Sequence, residues 1–221
     1  MKAPNFDLLV KKFRLPDTQA IALMGSFARG EAGEFSDVDL IRFIPKENQH
    51  EFGIESYLIK DQLVVVSTVK LDETDTWFSQ PEAATRWITG LRQAKPLWDP
   101  VSCFQSIQQR ARKFVWNNHL QKQADAYASR EMVGWIEEVH KGLEGLRRKD
   151  SGRLLNARFG LSWGLMNVMR VQRGVLVTSD NTTYTEVTVS IGNHSTWAIL
   201  SRKAFGLDSP MEIEMQVKAG L

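Results

Sequence analysis

With 221 residues, 43% hydrophobic and 24% charged, the chain is long enough for one large or two small domains around a proper apolar core. Its net charge of +2 is scattered along the sequence, which argues against a long polyanion such as nucleic acid as partner, because such binders carry a clear basic excess. The single cysteine excludes an intramolecular disulfide, no apolar run approaches the roughly 18 residues of a membrane span, and charges interrupt the N-terminal apolar stretch where a signal peptide would need none.

A cytoplasmic protein without a membrane partner is therefore expected. Cys103, beside Phe104, reads as a small core residue rather than a nucleophile.

The first hundred residues read as α/β. Phe6, Leu9, Val10 and Phe13 recur at helical spacing, and Pro16 ends that helix. Ala20 to Met24 is a short apolar run ending at Gly25, as a buried strand would. Ser26 to Glu31 opens a helix, with Ser26 as its expected N-cap. Val38 to Ile44 alternates as a second strand, except at Arg42. Ser56 to Ile59 and Leu63 to Val69 form a hairpin around Lys60-Asp61-Gln62, and Pro81 to Leu91 is a helix. Lys95-Pro96 and Asp99-Pro100 punctuate the chain.

From Ser102 the pattern turns helical. Met132, Trp135, Ile136, Val139, Leu143 and Leu146 make an amphipathic stripe, and Leu154 to Val171 predicts a second long helix. The polar segment Ser179 to Tyr184 precedes a shorter helical tail and reads as a surface loop capping the next helix, or else as a lining of the acceptor pocket. The fold class expected is α/β (α+β), with a short mixed sheet over residues 1–100 and a mainly helical domain over residues 101–221.

The chemistry gathers in Met24-Gly25-Ser26, followed after ten residues by Asp37-Val38-Asp39-Leu40. Gly25-Ser26 lies between a strand and a helix start, where free backbone N–H groups favour phosphate and glycine admits close approach. Strand period two places Asp37 and Asp39 on one face with Val38 turned into the core. Paired carboxylates suit Mg²⁺ (or Mn²⁺), which binds through one or two carboxylates plus substrate phosphates. Arg29, on the first turn of the helix, would reach a triphosphate, or else pair with Glu31 on the helix surface. Arg42 falls by parity on the face opposite the two aspartates.

These residues resemble the signature of the DNA polymerase β-like nucleotidyltransferases: an apolar residue, Gly, Gly or Ser, a spacer of about ten, then acid-apolar-acid-apolar. The Ala28-Arg29-Gly30 continuation resembles the bacterial small-molecule branch, which includes the aminoglycoside and lincosamide nucleotidyltransferases. The resemblance implies an enzyme moving a nucleoside monophosphate from Mg-NTP, with ATP the expected donor, to a small-molecule hydroxyl. On this reading Asp37 and Asp39 hold the metal and Gly25, Ser26 and Arg29 hold the triphosphate. The helical domain would face the acceptor. The family's two-domain enzymes can place a general base there, for which Glu138 is the candidate, against an ordinary surface pairing of Glu137 and Glu138 with neighbouring charges.

Active relatives usually add a third acid on a later strand. The corresponding segment, Leu63 to Val69, contains none; Asp61 and Asp72 flank it. A catalytically degenerate nucleotide- or partner-binding member is therefore an alternative, as is a toxin–antitoxin-type nucleotidyltransferase acting on a protein. Arg112 and His119 have the spacing of a helical nuclease motif, but no other feature supports one.

Overall fold

The computed structural model describes residues 4–48, 53–207 and 211–221. The chain divides into two compact units, Met1–Val115 and Trp116–Leu221.

The first unit is a five-stranded mixed sheet with helices on both faces. Helix α1 (Phe6–Phe13) starts at Asn5, whose side chain accepts from the Leu8 amide at 3.1 Å, and carries Asp7 in its first turn and Lys11 and Lys12 in its last. Both placements complement the helix dipole. Strand β1 (Ala20–Leu23) is fully buried and leads into α2 (Gly25–Arg29), β2 (Val38–Ile44), β3 (Ile54–Ile59) and β4 (Gln62–Lys70). A 3₁₀ turn (Leu71–Asp75), α3 (Thr76–Ser79), α4 (Pro81–Gln93), β5 (Lys95–Trp98) and α5 (Cys103–Lys113) complete the unit.

The strand order is β3-β4-β2-β1-β5, with β2 and β4 parallel and the other pairs antiparallel. Lys60 and Asp61 turn the β3–β4 hairpin at φ 49° and 64°, as a two-residue hairpin loop requires. Lys95–Trp98 forms strand β5, where Pro96 suggests a chain break. Pro96 is tolerated there because β5 is an edge strand, where a missing N–H leaves no central ladder bond unmade.

One face of the sheet packs Leu9 and Phe13 of α1 and Ala28 of α2 on Ile21, Leu23, Val38, Leu40, Val64 and Val66. The other packs α4 and α5, through Leu91, Phe104 and Ile107, on Ala20, Ala22, Ile41 and Phe43. Because α5 belongs to this core, the unit boundary lies at 115/116, beyond the position near residue 100 expected from the proline punctuation.

The second unit is helical: α6 (Asn118–Arg148), α7 (Ser151–Phe159), a π-helical turn (Gly160–Gly164), α8 (Leu165–Gln172), a 3₁₀ turn (Asp180–Thr182), α9 (Thr183–Ile191), α10 (Thr196–Ala204) and α11 (Ile213–Gly220). The stripe expected on α6 is corrected in part. Met132, Ile136 and Leu143 are exposed, and the buried face is built instead from Leu120, Ala124, Ala128, Gly142 and Gly145. Small residues let helices approach closely, a signal that a search for large apolar side chains passes over. At Gly160 and Gly164 an added Cβ would lie 2.5 Å from Glu138 Cγ and 2.5 Å from the Trp135 ring, so both glycines make room for α6 side chains. Ser179 and Thr182 form a capping box on the 3₁₀ turn that precedes α9, whose own N-cap, Thr182, makes no side-chain cap bond.

Candidate functional site

Strand β1 delivers Gly25 to the start of β2. The Met24 amide donates to the Asp39 carbonyl at 2.8 Å, tying the residue before the glycine to the strand that carries the carboxylates. Gly25 has φ +64°, and a Cβ there would sit 2.0 Å from Asp39 Oδ2. The Asp39 carboxylate therefore lies directly against the Gly25 backbone, and only glycine leaves it that space while adopting a left-handed φ.

Helix α2 runs for five residues and stops at Gly30, φ 77°. Its N-cap is Met24 and no side chain caps it, which corrects the expectation of Ser26 in that role: Ser26 is inside the first turn. Helix geometry leaves the amides of Gly25, Ser26 and Phe27 without intrahelical acceptors. The Ser26 hydroxyl is thus free of a capping duty beside them.

Across the gap, Val38 and Leu40 are buried while Asp37 and Asp39 are half-buried, the alternation that strand period two demands. On β4 the residue in register with Asp39 is Val65, and Leu63 and Ser67 share that face. No acid lies on β4. Asp61 is in the hairpin turn, and Asp72 is in the 3₁₀ turn after the strand, 3.6 Å from Lys46. Among the described residues no three His, Cys, Asp or Glu side chains gather as a metal-binding group. Asp37 and Asp39 are the residues that would hold a divalent cation such as Mg²⁺ (or Mn²⁺), which can bind through one or two carboxylates.

The remaining candidates are placed differently. Arg29 Nε donates to Glu31 Oε2 at 2.6 Å, so its guanidinium is held by its neighbour two residues on. Glu138 belongs to the second unit. Its Oε1 accepts from Lys141 Nζ at 2.7 Å, and Glu137 meets the same ammonium at 2.9 Å. These bonds raise the Lys141 pKa above its ordinary value. Glu138 Oε2 is buried without a hydrogen-bond partner among the described residues. Arg112 ends α5 and donates to Gln108, whereas His119 begins α6, so the two do not share a helix. Burial, with Asp99 adding to it, pushes the Cys103 thiol up to about 11, which keeps it protonated at neutral pH.

Arg42 lies on the face opposite the two aspartates, as strand parity requires. It is 3% exposed and donates to Thr68 Oγ1, to the Phe13 carbonyl at the end of α1, and to Glu55 Oε2. Tyr57 also donates to Glu55, which raises the Tyr57 pKa. A lone arginine in an apolar strand was the available signal; its partners lie 13 to 29 residues away.

The glycine-serine turn after β1 thus faces the Asp-x-Asp strand within a mixed sheet. Residues 8–89 match the family model described as the nucleotidyltransferase domain, with a mainly helical region following. The chain is similar to a nucleotidyltransferase-like protein from Exiguobacterium sibiricum 255-15, whose crystal structure superposes with a TM-score of 0.52 at 13% identity. The likeness covers 97% of this chain and 70% of that one, and at such identity it shows the fold alone. No curated protein matches the sequence. Among the described residues no helix is long and apolar enough to cross a membrane.

Proposed function

We propose that the chain transfers a nucleoside monophosphate from an NTP, with ATP the expected donor, to the hydroxyl of a small molecule. The acceptor oxygen forms a bond to the α-phosphorus, and the bond from that phosphorus to the α–β bridging oxygen breaks. Pyrophosphate leaves with the electron pair, and the hydroxyl proton passes to a base or to solvent. The observation that supports this reading is the Asp39 carboxylate seated directly against the Gly25 backbone at the turn after β1.

In this proposal the amides of Gly25 and Ser26 and the Ser26 hydroxyl hold the triphosphate. Asp37 and Asp39 hold Mg²⁺, which when bound supplies neutralisation of the developing phosphate charge. Arg29 joins the triphosphate only by leaving Glu31. Glu138 lies in the second unit with its Oε1 held by Lys141 and takes no step in this proposal.

Titration calorimetry with Mg²⁺ and a nucleotide panel tests the reading. Binding of an NTP that depends on Mg²⁺, and its loss in Asp37→Ala and Asp39→Ala, is expected. Binding that ignores both substitutions would overturn it. A second reading, a nucleotide-binding module without turnover, is favoured by Val65 in the position beside Asp39 where a third acid would complete a two-metal site. Nucleotide binding without pyrophosphate release across a broad acceptor screen would select it.

A further inference from the structure

The two edges of the sheet are built differently. At one, β5 carries Lys95 and Pro96 and pairs β1 with a bulge between Ile21 and Ala22. Lysine, proline and a bulge each discourage a further strand from adding to an edge. At the other edge, among the described residues, β3 carries no lysine or proline and pairs β4 without a bulge. Its one charge, Glu55, is held by Arg42 and Tyr57. Among the described residues no strand pairs the outer side of β3.

Parity fixes which main-chain groups that outer side presents. Ile59 and Gln62 close the two-residue turn, so the N–H and C=O groups of Ile59, Tyr57 and Glu55 bond to β4. The Thr68 amide, donating to the Gly53 carbonyl at 3.1 Å, continues the series. The N–H and C=O groups of Ile54, Ser56 and Leu58 therefore point away from the sheet. The side chains of the same three residues are exposed, Ile54 and Leu58 at 75% and 74%.

We infer that β3 pairs antiparallel with β3 of a second copy of this chain, about a two-fold axis at Ser56. The inference does not rest on the transfer reading above. With the axis there, Ile54 faces the second copy's Leu58, Leu58 faces its Ile54, and Ser56 faces its Ser56. All three outward residues are used, and about six main-chain hydrogen bonds form. Both exposed apolar side chains are covered by cross-strand partners. On the opposite face Glu55 meets the second copy's Tyr57, not a like charge. An axis at Glu55 would set two carboxylates opposite each other, and an axis at Tyr57 would leave Ile54 without its leucine. The strand is thus complementary to itself in main chain, apolar contact and charge.

Ser56 and Asp39 are both in register with Val65, so the axis lies in line with Asp39. Pairing at this edge makes one continuous sheet whose two Asp37-Asp39 pairs face the same side, about 24 Å apart across the strands β2-β4-β3-β3-β4-β2. Two six-residue strands bury less than the roughly 1,200 Å² of a standard interface, so the dimer is weak, with a Kd on the order of 100 µM.

Sedimentation equilibrium of the full chain at up to about 1 mM tests the association, and a monomer–dimer equilibrium is expected. Ser56→Pro removes the N–H donors at the axis while sparing β4, because an edge strand accepts proline where the lost N–H faces outward. It is expected to weaken the dimer at least about tenfold. Mild oxidation reads the register. Ser56→Cys should form an intermolecular disulfide, since hydrogen-bonded cross-strand neighbours lie about 5.5 Å apart at Cα. Leu58→Cys alone should not, because it stands about 14 Å from its own counterpart, but Leu58→Cys mixed with Ile54→Cys should. The unaltered chain, with Cys103 alone, is the blank. These cysteine variants carry the test if Ser56→Pro does not fold. Three outcomes overturn the inference: a dimer of unchanged affinity in folded Ser56→Pro, self-linking of Leu58→Cys as fast as that of Ser56→Cys, or a chain still monomeric at about 1 mM. The last would leave this edge to a strand of another protein.

Discussion

Replacing Gly25 with alanine isolates the feature on which the candidate site depends. Two penalties apply. A φ of +64° costs an L-residue roughly 1–2 kcal/mol, and the new Cβ would lie 2.0 Å from Asp39 Oδ2. Relieving that contact requires the carboxylate to move by about 1 Å, several times the ~0.2 Å tolerance of a metal site. Gly30→Ala is the matched control. Its φ of 77° exacts the same backbone penalty, but nothing lies within 4 Å of the added Cβ. Both variants should therefore lose roughly 2–8 °C in melting temperature per kcal/mol. Only Gly25→Ala should also lose Mg-dependent nucleotide affinity, by at least about tenfold. Calorimetric titration beside thermal unfolding separates the two effects. Equal nucleotide affinity in the two variants would refute the claim that Gly25 exists to seat Asp39.

Arg42→Met should destabilise the first unit by about 3 kcal/mol, and Arg42→Lys should rescue little, because an ammonium cannot bridge Thr68, the Phe13 carbonyl and Glu55 at once; denaturant melts measure both. Cys103, with its thiol near 11, should react with iodoacetamide at pH 7 roughly 100-fold more slowly than a thiol at the ordinary value of 9.0, and a free-thiol rate would contradict its burial. Hydrogen bonds from Arg147, with Arg148 beside it, hold the Glu144 carboxyl down to about 2 from 4.5. Its contribution to the second unit is complete above about pH 4.5 and disappears as pH falls toward 2, so wild type and Glu144→Gln should differ in stability at neutral pH and converge in acid.

What the sequence determined by itself is local and periodic. Gly25-Ser26 and the Asp37-Val38-Asp39 alternation are placed within a span of fifteen residues, because a turn and strand parity decide their positions. The hairpin and α4 were legible for the same reason. Only the tertiary structure decided the rest. That Asp39 presses on Gly25, that Val65 stands beside it, and that Arg42 joins three elements are matters of strand register, which depends on pairing between residues far apart in the chain. The stripe on α6 was misread because alanine and glycine bury a helix face by allowing close approach, and hydrophobic periodicity weighs side-chain size instead.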